Sequence, residues 1–116
     1  AMAQSGSKPI MRHGETVITR DDFRKAAKEV KPDAYLLAEI WGNTSPWLQG
    51  NQFDGTMNYF FRDLAVDYFA AGRMDTPTFL DGVSAMLALY APQVTACCQN
   101  LFSSHDVAAV NISLRS

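Results

Sequence analysis

Neither a polyanionic partner nor a lipid bilayer suits a chain with so little charge of one sign. Ten Lys and Arg stand against twelve Asp and Glu, a net charge of −2 over 116 residues. That near balance leaves no electrostatic footprint for DNA, RNA or anionic lipid. No apolar run approaches the roughly 20 residues of a membrane span, and the N-terminus lacks the apolar core of a signal peptide. Cysteine is scarce too. The only two, Cys97 and Cys98, are adjacent. They fall in a run read as a buried strand, where neighbours point to opposite faces, so a structural disulfide between them is not expected. A reducing, cytoplasmic setting and a packing role for both follow. Nothing calls for a cofactor or a metal.

What is present is a globular composition, 47% hydrophobic and 19% charged. Residues 1–8 read as a flexible leader, and residues 9–116 as a single domain large enough for a core. The first clear element is a helix. Thr19 is its N-cap and Asp22 stands in capping-box position. Phe23, Ala26, Ala27 and Val30 form its apolar stripe, and Pro32 stops it. Residues 34–41 then read as a strand covered on both sides. A Gly- and Asn-rich loop from Gly42 to Gln52 carries Trp47. A short strand is expected in Phe53–Tyr59. A helix from Phe60 to Ala71 follows, with Phe61, Leu64, Ala65, Tyr68 and Phe69 on one face and Gly72 as its stop. Another begins at Thr76-Pro77, with Phe79, Val83, Met86, Leu87 and Tyr90 as its stripe. Val94 to Phe102 reads as the last strand. Alternating β and α units imply parallel pairing.

Glu39 and Asp106 each end an apolar run of strand character. Two carboxylates at the C-terminal mouths of strands are how a parallel α/β barrel presents acid/base chemistry. Three segments carry a family resemblance: Asp33-Ala-Tyr-Leu-Leu-Ala-Glu-Ile-Trp-Gly42, Ser45-Pro-Trp-Leu-Gln-Gly-Asn-Gln-Phe-Asp-Gly-Thr-Met-Asn-Tyr59 and Asn100-Leu-Phe-Ser-Ser-His-Asp106. In this order they resemble consecutive parts of an α-amylase-type catalytic barrel (glycoside hydrolase family 13). The nearest branch is the neopullulanase, cyclomaltodextrinase and maltogenic amylase group. The resemblance implies that Glu39 is the general acid/base, Asp106 the transition-state stabiliser and His105 a sugar ligand in the cleaved subsite. It also implies that Trp41 lines the acceptor side, with Trp47 and Asn58 as further substrate-binding candidates. Ile40 and Trp41 would shield Glu39 and raise its pKa.

The chain also departs from that pattern. A retaining glycosidase needs a nucleophilic carboxylate about 5 Å from the acid. The family places it in a Gly-x-Arg-x-Asp motif, and the corresponding stretch is Pro9-Ile-Met-Arg-His-Gly-Glu-Thr-Val-Ile18. Aligning Arg12 with the motif arginine puts Gly14 at the aspartate position. The resemblance therefore implies a barrel fragment of about three strands and three main helices, without the nucleophile and without the first three strands or the last. A complete barrel takes about 250 residues. Uncovered strand edges and faces should be completed by self-association, as a homodimer or higher oligomer. The alternative is a rearranged, mostly helical oligomer.

Ile10-Met-Arg-His-Gly-Glu-Thr16 also resembles the Arg-His-Gly signature of the histidine phosphatases. There a histidine takes the phosphoryl group and an arginine holds its oxygens. Arg12, His13 and Glu15 are thus an alternative phosphoester site. Should His13 meet His105 in space, a metal site with Glu15 or Asp106 is a further option. The functional expectation is a hydrolase acting on a glycoside, or promiscuously on a small ester or phosphoester. Its alternative is a non-catalytic, self-associating remnant with weak maltooligosaccharide affinity.

Overall fold

The computed structural model describes residues 9–107, which fall into two compact units meeting between Thr56 and Met57. The first begins with strands β1 (Pro9–His13) and β2 (Thr16–Thr19), paired antiparallel with His13 opposite Thr16. That register leaves Gly14 and Glu15 as a two-residue turn. Gly14 takes φ +60° while no described non-glycine residue has positive φ, the pattern of a type II′ hairpin. The sequence reading left this stretch unassigned. A Gly-X pair between two β-branched or apolar runs was the signal that could have shown it.

Thr19 ends β2 and caps helix α1 (Arg20–Val30). Its hydroxyl accepts from the Asp22 N–H at 3.2 Å, and Asp22 Oδ2 accepts from the Thr19 N–H at 2.9 Å. This is the reciprocal box expected from the sequence. The backbone N–H and the hydroxyl of Thr19 hold the Asp22 carboxyl below its usual range. The expected apolar stripe is not the packed side of α1, however. Phe23 is 48% exposed and Val30 88%. The helix is held instead through Arg24 and Lys28, one turn apart. Arg24 Nη1 lies 2.9 Å from Asp54 Oδ1 and Lys28 Nζ lies 3.2 Å from Asp54 Oδ2. Lys28 also donates to the Ala34 carbonyl, and Arg24 to that of Gln52 at 3.3 Å.

Asp54 also reaches the backbone. Its Oδ2 accepts from the Leu36 N–H at 2.9 Å, and its own N–H donates to the Leu36 carbonyl at 2.8 Å. These contacts align the starts of β3 (Leu37–Ala38) and β4 (Gly55–Asn58), which pair parallel with Leu37 opposite Gly55. The strand read over 34–41 is thus two residues long by ladder bonds, because the Asp54 side chain satisfies its entry in place of a neighbour.

In the second unit the latter half of β4 pairs parallel with β5 (Gln99–Asn100). Helix α2 (Tyr59–Ala65) follows β4 and continues as a π turn over Val66–Ala70. Gly72, at φ +62°, ends it as expected. Helix α3 (Thr76–Ala88) is capped by Asp75, whose carboxylate accepts from the Thr78 N–H at 2.8 Å; the sequence placed the cap one residue later. Tyr59, Leu64, Ala65, Val66, Met86 and Leu101 form the apolar core of this unit. Gly82 lets α3 approach α2, since a Cβ there would sit 2.4 Å from Leu64 Cδ2.

The strand expected from Val94 to Phe102 is mostly absent. Pro92 starts a short helix α4 (Pro92–Ala96) instead of merely ending α3, and the strand begins only at Gln99. Cys97 is therefore the exposed C-cap of α4 and Cys98 is half-buried, not the two faces of a buried strand. Pro at N1 needs no N–H donor, so the backbone closes a helical turn more readily than it joins a ladder. The described residues thus hold three parallel strand segments and three principal helices. They form no closed barrel, and they stand beside a hairpin the sequence did not announce. Among them no helix is long and apolar enough to cross a membrane. The expected leader 1–8 and the tail from residue 108 lie outside the described residues.

Two stability outcomes follow. Thr19→Ala should cost about 1 kcal/mol through loss of the cap, read by urea unfolding. For Asp54, burial pushes the carboxyl up, but donation from Leu36 N–H, Arg24 and Lys28 outweighs it and leaves the pKa lowered. A lowered carboxylate pKa stabilises the fold fully above the unfolded value of about 3.9, and the contribution disappears as pH falls through the folded value. Asp54→Asn should cost about 2 kcal/mol at neutral pH and flatten the acid limb of the stability curve. An unchanged acid limb would refute this role.

Candidate functional site

Glu39 directly follows β3, at its C-terminal end. It is exposed, with Ile40 half-buried and Trp41 exposed beside it. The apolar cover expected over Glu39 is not provided by these neighbours. What fixes the segment is polar. Thr56 of β4, 2% exposed, donates from Oγ1 to the Ala38 carbonyl at 3.1 Å. Thr44, fully buried, places its Oγ1 3.2 Å from Thr56 Oγ1 and 3.3 Å from the Gly42 carbonyl. The loop leaving Glu39 is thereby tied back to β4 within its own unit. Trp47 lies in a 3₁₀ turn, Ser45–Trp47, with the Arg20 guanidinium 5.8 Å from its ring centroid. That cation–π contact engages an indole the sequence offered for substrate.

Asn58 is buried, and its amide is engaged on both ends. Its Oδ1 accepts from the Phe61 N–H at 3.1 Å, capping α2, and its Nδ2 donates to Asn100 Oδ1 at 3.0 Å. These bonds hold α2 and β5 to the end of β4.

Asp106 lies in the turn after β5. Its N–H donates to Ser104 Oγ at 3.2 Å, and the Tyr59 hydroxyl lies 3.3 Å from the same oxygen. His105 Nε2 and Asp106 Oδ2 are 3.2 Å apart, with both side chains solvent-accessible. Arg62 Nε donates to the Phe102 carbonyl at 3.3 Å, and the Phe61 and Phe102 rings sit 5.8 Å apart. Arg62, Phe61 and Tyr59 all belong to α2, so that helix anchors the strand-to-turn segment carrying Asp106. The structure brings His105 to Asp106. Glu39, Trp41 and Trp47 belong to the first unit, and Asn58, His105 and Asp106 to the second.

The alternative phosphoester residues sit on the hairpin. Arg12 and His13 are consecutive in β1, so they face opposite sides, and Glu15 is in the turn; all three are exposed. Among the described residues no three His, Cys, Asp or Glu side chains gather as a metal site requires. Sequence reasoning missed the supports: Thr44, Thr56, Tyr59, Ser104 and Arg62. They are scattered over a loop, β4, α2 and the turn after β5, so no periodic signal marks them.

Carboxylates following parallel strands, each tied back by local polar contacts, invite comparison with known barrels. The family model for the α-amylase catalytic domain matches residues 5–114. The chain belongs to the α-amylase family. A cyclomaltodextrinase from Geobacillus thermopakistaniensis is 45% identical over 85 residues, 73% of this chain and 14% of that protein. An intracellular maltogenic amylase from Bacillus subtilis is 38% identical over 84 residues, 72% of this chain and 14% of that protein. In three dimensions it is similar to a cyclic α-maltosyl-(1→6)-maltose hydrolase from Arthrobacter globiformis, with a TM-score of 0.78 and 35% identity. That match covers 83% of this chain and 22% of the other. The chain thus spans about 14% of the length of these curated relatives, within the branch that its motifs indicated.

Replacing Thr56 by Val would remove the hydroxyl that donates to the Ala38 carbonyl and lies against Thr44 Oγ1. The expected cost is about 1–3 kcal/mol, measured by chemical unfolding. A neutral Thr56→Val would refute the anchoring of the Glu39 loop by this hydroxyl pair.

Proposed function

We propose that this chain carries the acid and stabiliser positions of an α-amylase-type glycosidase site and acts on maltooligosaccharide, with the carboxylate nucleophile absent from residues 9–107. The observation that carries this reading is the placement of Glu39 immediately after β3, in a segment belonging to the family match. In this role Glu39 protonates the leaving glycosidic oxygen. Asp106, with His105 at 3.2 Å, binds sugar hydroxyls and stabilises the oxocarbenium-like transition state. Trp41, exposed beside Glu39, presents an indole face to an acceptor sugar. Trp47 is a further candidate within the first unit, whereas Asn58, buried with its amide engaged at both ends, holds α2 and β5 in place.

The hairpin supports the loss of the nucleophile. The stretch aligned with the family's aspartate motif turns back on itself at Gly14-Glu15 and ends in no parallel strand. The two units are read as parts of one barrel-derived domain, 9–116, a reading supported by the family match across both. Setting is cytoplasmic, in keeping with a relative named intracellular. No cofactor is required. Neither nucleic acid nor membrane is a partner.

A second reading is favoured by the exposed apolar side chains. Val30 at 88%, Phe69 at 72%, Leu80 at 57% and Phe102 at 55% exposure leave apolar surface that a second copy could cover. On that reading the chain is a self-associating homo-oligomer whose sugar affinity survives without turnover. Small esters or phosphoesters, the latter at Arg12, His13 and Glu15, are the remaining substrate class.

Exogenous azide tests the principal reading, because it replaces a missing nucleophile. Azide should accelerate phenol release from an aryl α-maltoside by the wild type. Glu39→Gln and Asp106→Asn should lose most of that acceleration. Parallel ester and phosphoester assays, with His13→Ala, address promiscuous hydrolysis. Rates equal to buffer for every variant and substrate would leave the non-catalytic reading, which light scattering then checks: a stable monomer would sink the oligomer.

A further inference from the structure

We propose that Ser104 is a positioning residue for sugar binding, its hydroxyl setting the direction in which His105 and Asp106 present their side chains. The proposal rests on the reading of that pair as sugar ligands and names what orients it. Ser104 Oγ accepts from the Asp106 N–H at 3.2 Å, and its carbonyl accepts from the Val107 N–H at 3.4 Å. A serine oxygen that accepts from the N–H two residues on closes a local turn. His105 stands on that turn and Asp106 ends it. Their side chains, 3.2 Å apart, are both exposed. With little packing around them, the backbone beneath decides where they point.

Ser104 is in turn fixed from α2. The residues at the start of that helix meet every second residue of the segment leading to the pair. Asn58 Nδ2 donates to Asn100 Oδ1 at 3.0 Å, and Arg62 Nε donates to the Phe102 carbonyl at 3.3 Å. The Phe61 ring lies 5.8 Å from that of Phe102. The hydroxyl of buried Tyr59 then lies 3.3 Å from Ser104 Oγ. Asn100, Phe102 and Ser104 thus form a ladder of contacts, and its last rung directly precedes His105.

This arrangement bears on affinity. Binding a sugar hydroxyl between an imidazole and a carboxylate immobilises two side chains, and that ordering opposes association. A turn already closed by Ser104 meets part of the cost before the sugar arrives.

Titration of the labelled chain with maltotriose, followed by NMR, tests this. Three-bond couplings report whether the His105 and Asp106 side chains keep one rotamer. The wild type should show one for each, and Ser104→Ala should average them before any sugar is added. The same variant should bind maltotriose about tenfold more weakly, the worth of one hydrogen bond. Ser104→Thr, which keeps the hydroxyl, should restore both. Tyr59→Phe, which keeps the buried ring, should act in the same direction and add little in the double variant. A Ser104→Ala chain with a lower urea midpoint but unchanged couplings and affinity would overturn the proposal. So would equal losses in Ser104→Thr and Ser104→Ala. A wild type that binds no maltotriose, with couplings that still average in Ser104→Ala, would overturn the sugar-ligand reading and support the orienting role.

Discussion

One carboxylate, that of Asp54, sets the geometry from which the first unit is built. It receives a guanidinium and an ammonium from adjacent turns of α1 and a backbone N–H from the entry to β3. Its own N–H returns to the Leu36 carbonyl. A helix, the start of one strand and the start of the next are thus joined at a single side chain. Hydrogen bonds to a partly buried charge are stronger than neutral ones, and an unmatched charge there would be costly. This explains why α1 can leave Phe23 and Val30 exposed yet keep its place. Its attachment is electrostatic and directional.

Strand β4 passes that order along the chain. Thr56 ties it to the Ala38 carbonyl and the Thr44 hydroxyl, and Asn58 ties it to α2 and Asn100. Few of these contacts are apolar. A strand of four residues has little surface to bury, so its register rests on side-chain amides and hydroxyls more than on hydrophobic pattern. Register in turn decides which residues stand at the strand ends, where carboxylate chemistry belongs.

Local signals were legible in the sequence where they acted over a few residues. The Thr19–Asp22 box, the stop at Gly72 and the start near Thr76-Pro77 depend on neighbours three or four positions apart; the first two stand where the sequence pattern puts them and the third is displaced by one residue, to Asp75. Longer-range decisions were not legible. Nothing near Val94 told that Pro92 would open a helix and shorten the strand to Gln99–Asn100. Nothing in the α1 stripe told that Arg24, thirty residues from Asp54, would outrank Phe23 as its contact. The candidate site divides the same way. Glu39, His105 and Asp106 could be named because chemistry demands their residue types in a recognisable context. Thr44, Thr56 and Ser104 could not, since a hydroxyl becomes a support only once the fold supplies its partner.

That division bears on how a fragment can keep the marks of a barrel. Each mouth residue is held by contacts inside its own unit. Glu39 depends on Ala38, Thr44 and Thr56; Asp106 depends on Ser104, Tyr59 and the α2 residues that fasten Phe102. Neither set needs a closed ring of strands to satisfy its hydrogen bonds. Local polar support therefore accounts for the position of each carboxylate within its own unit, independently of the chemistry either one carries. Placement and turnover are separable properties of this architecture, because the first is built from contacts a few ångströms long and the second from the sum of several strands.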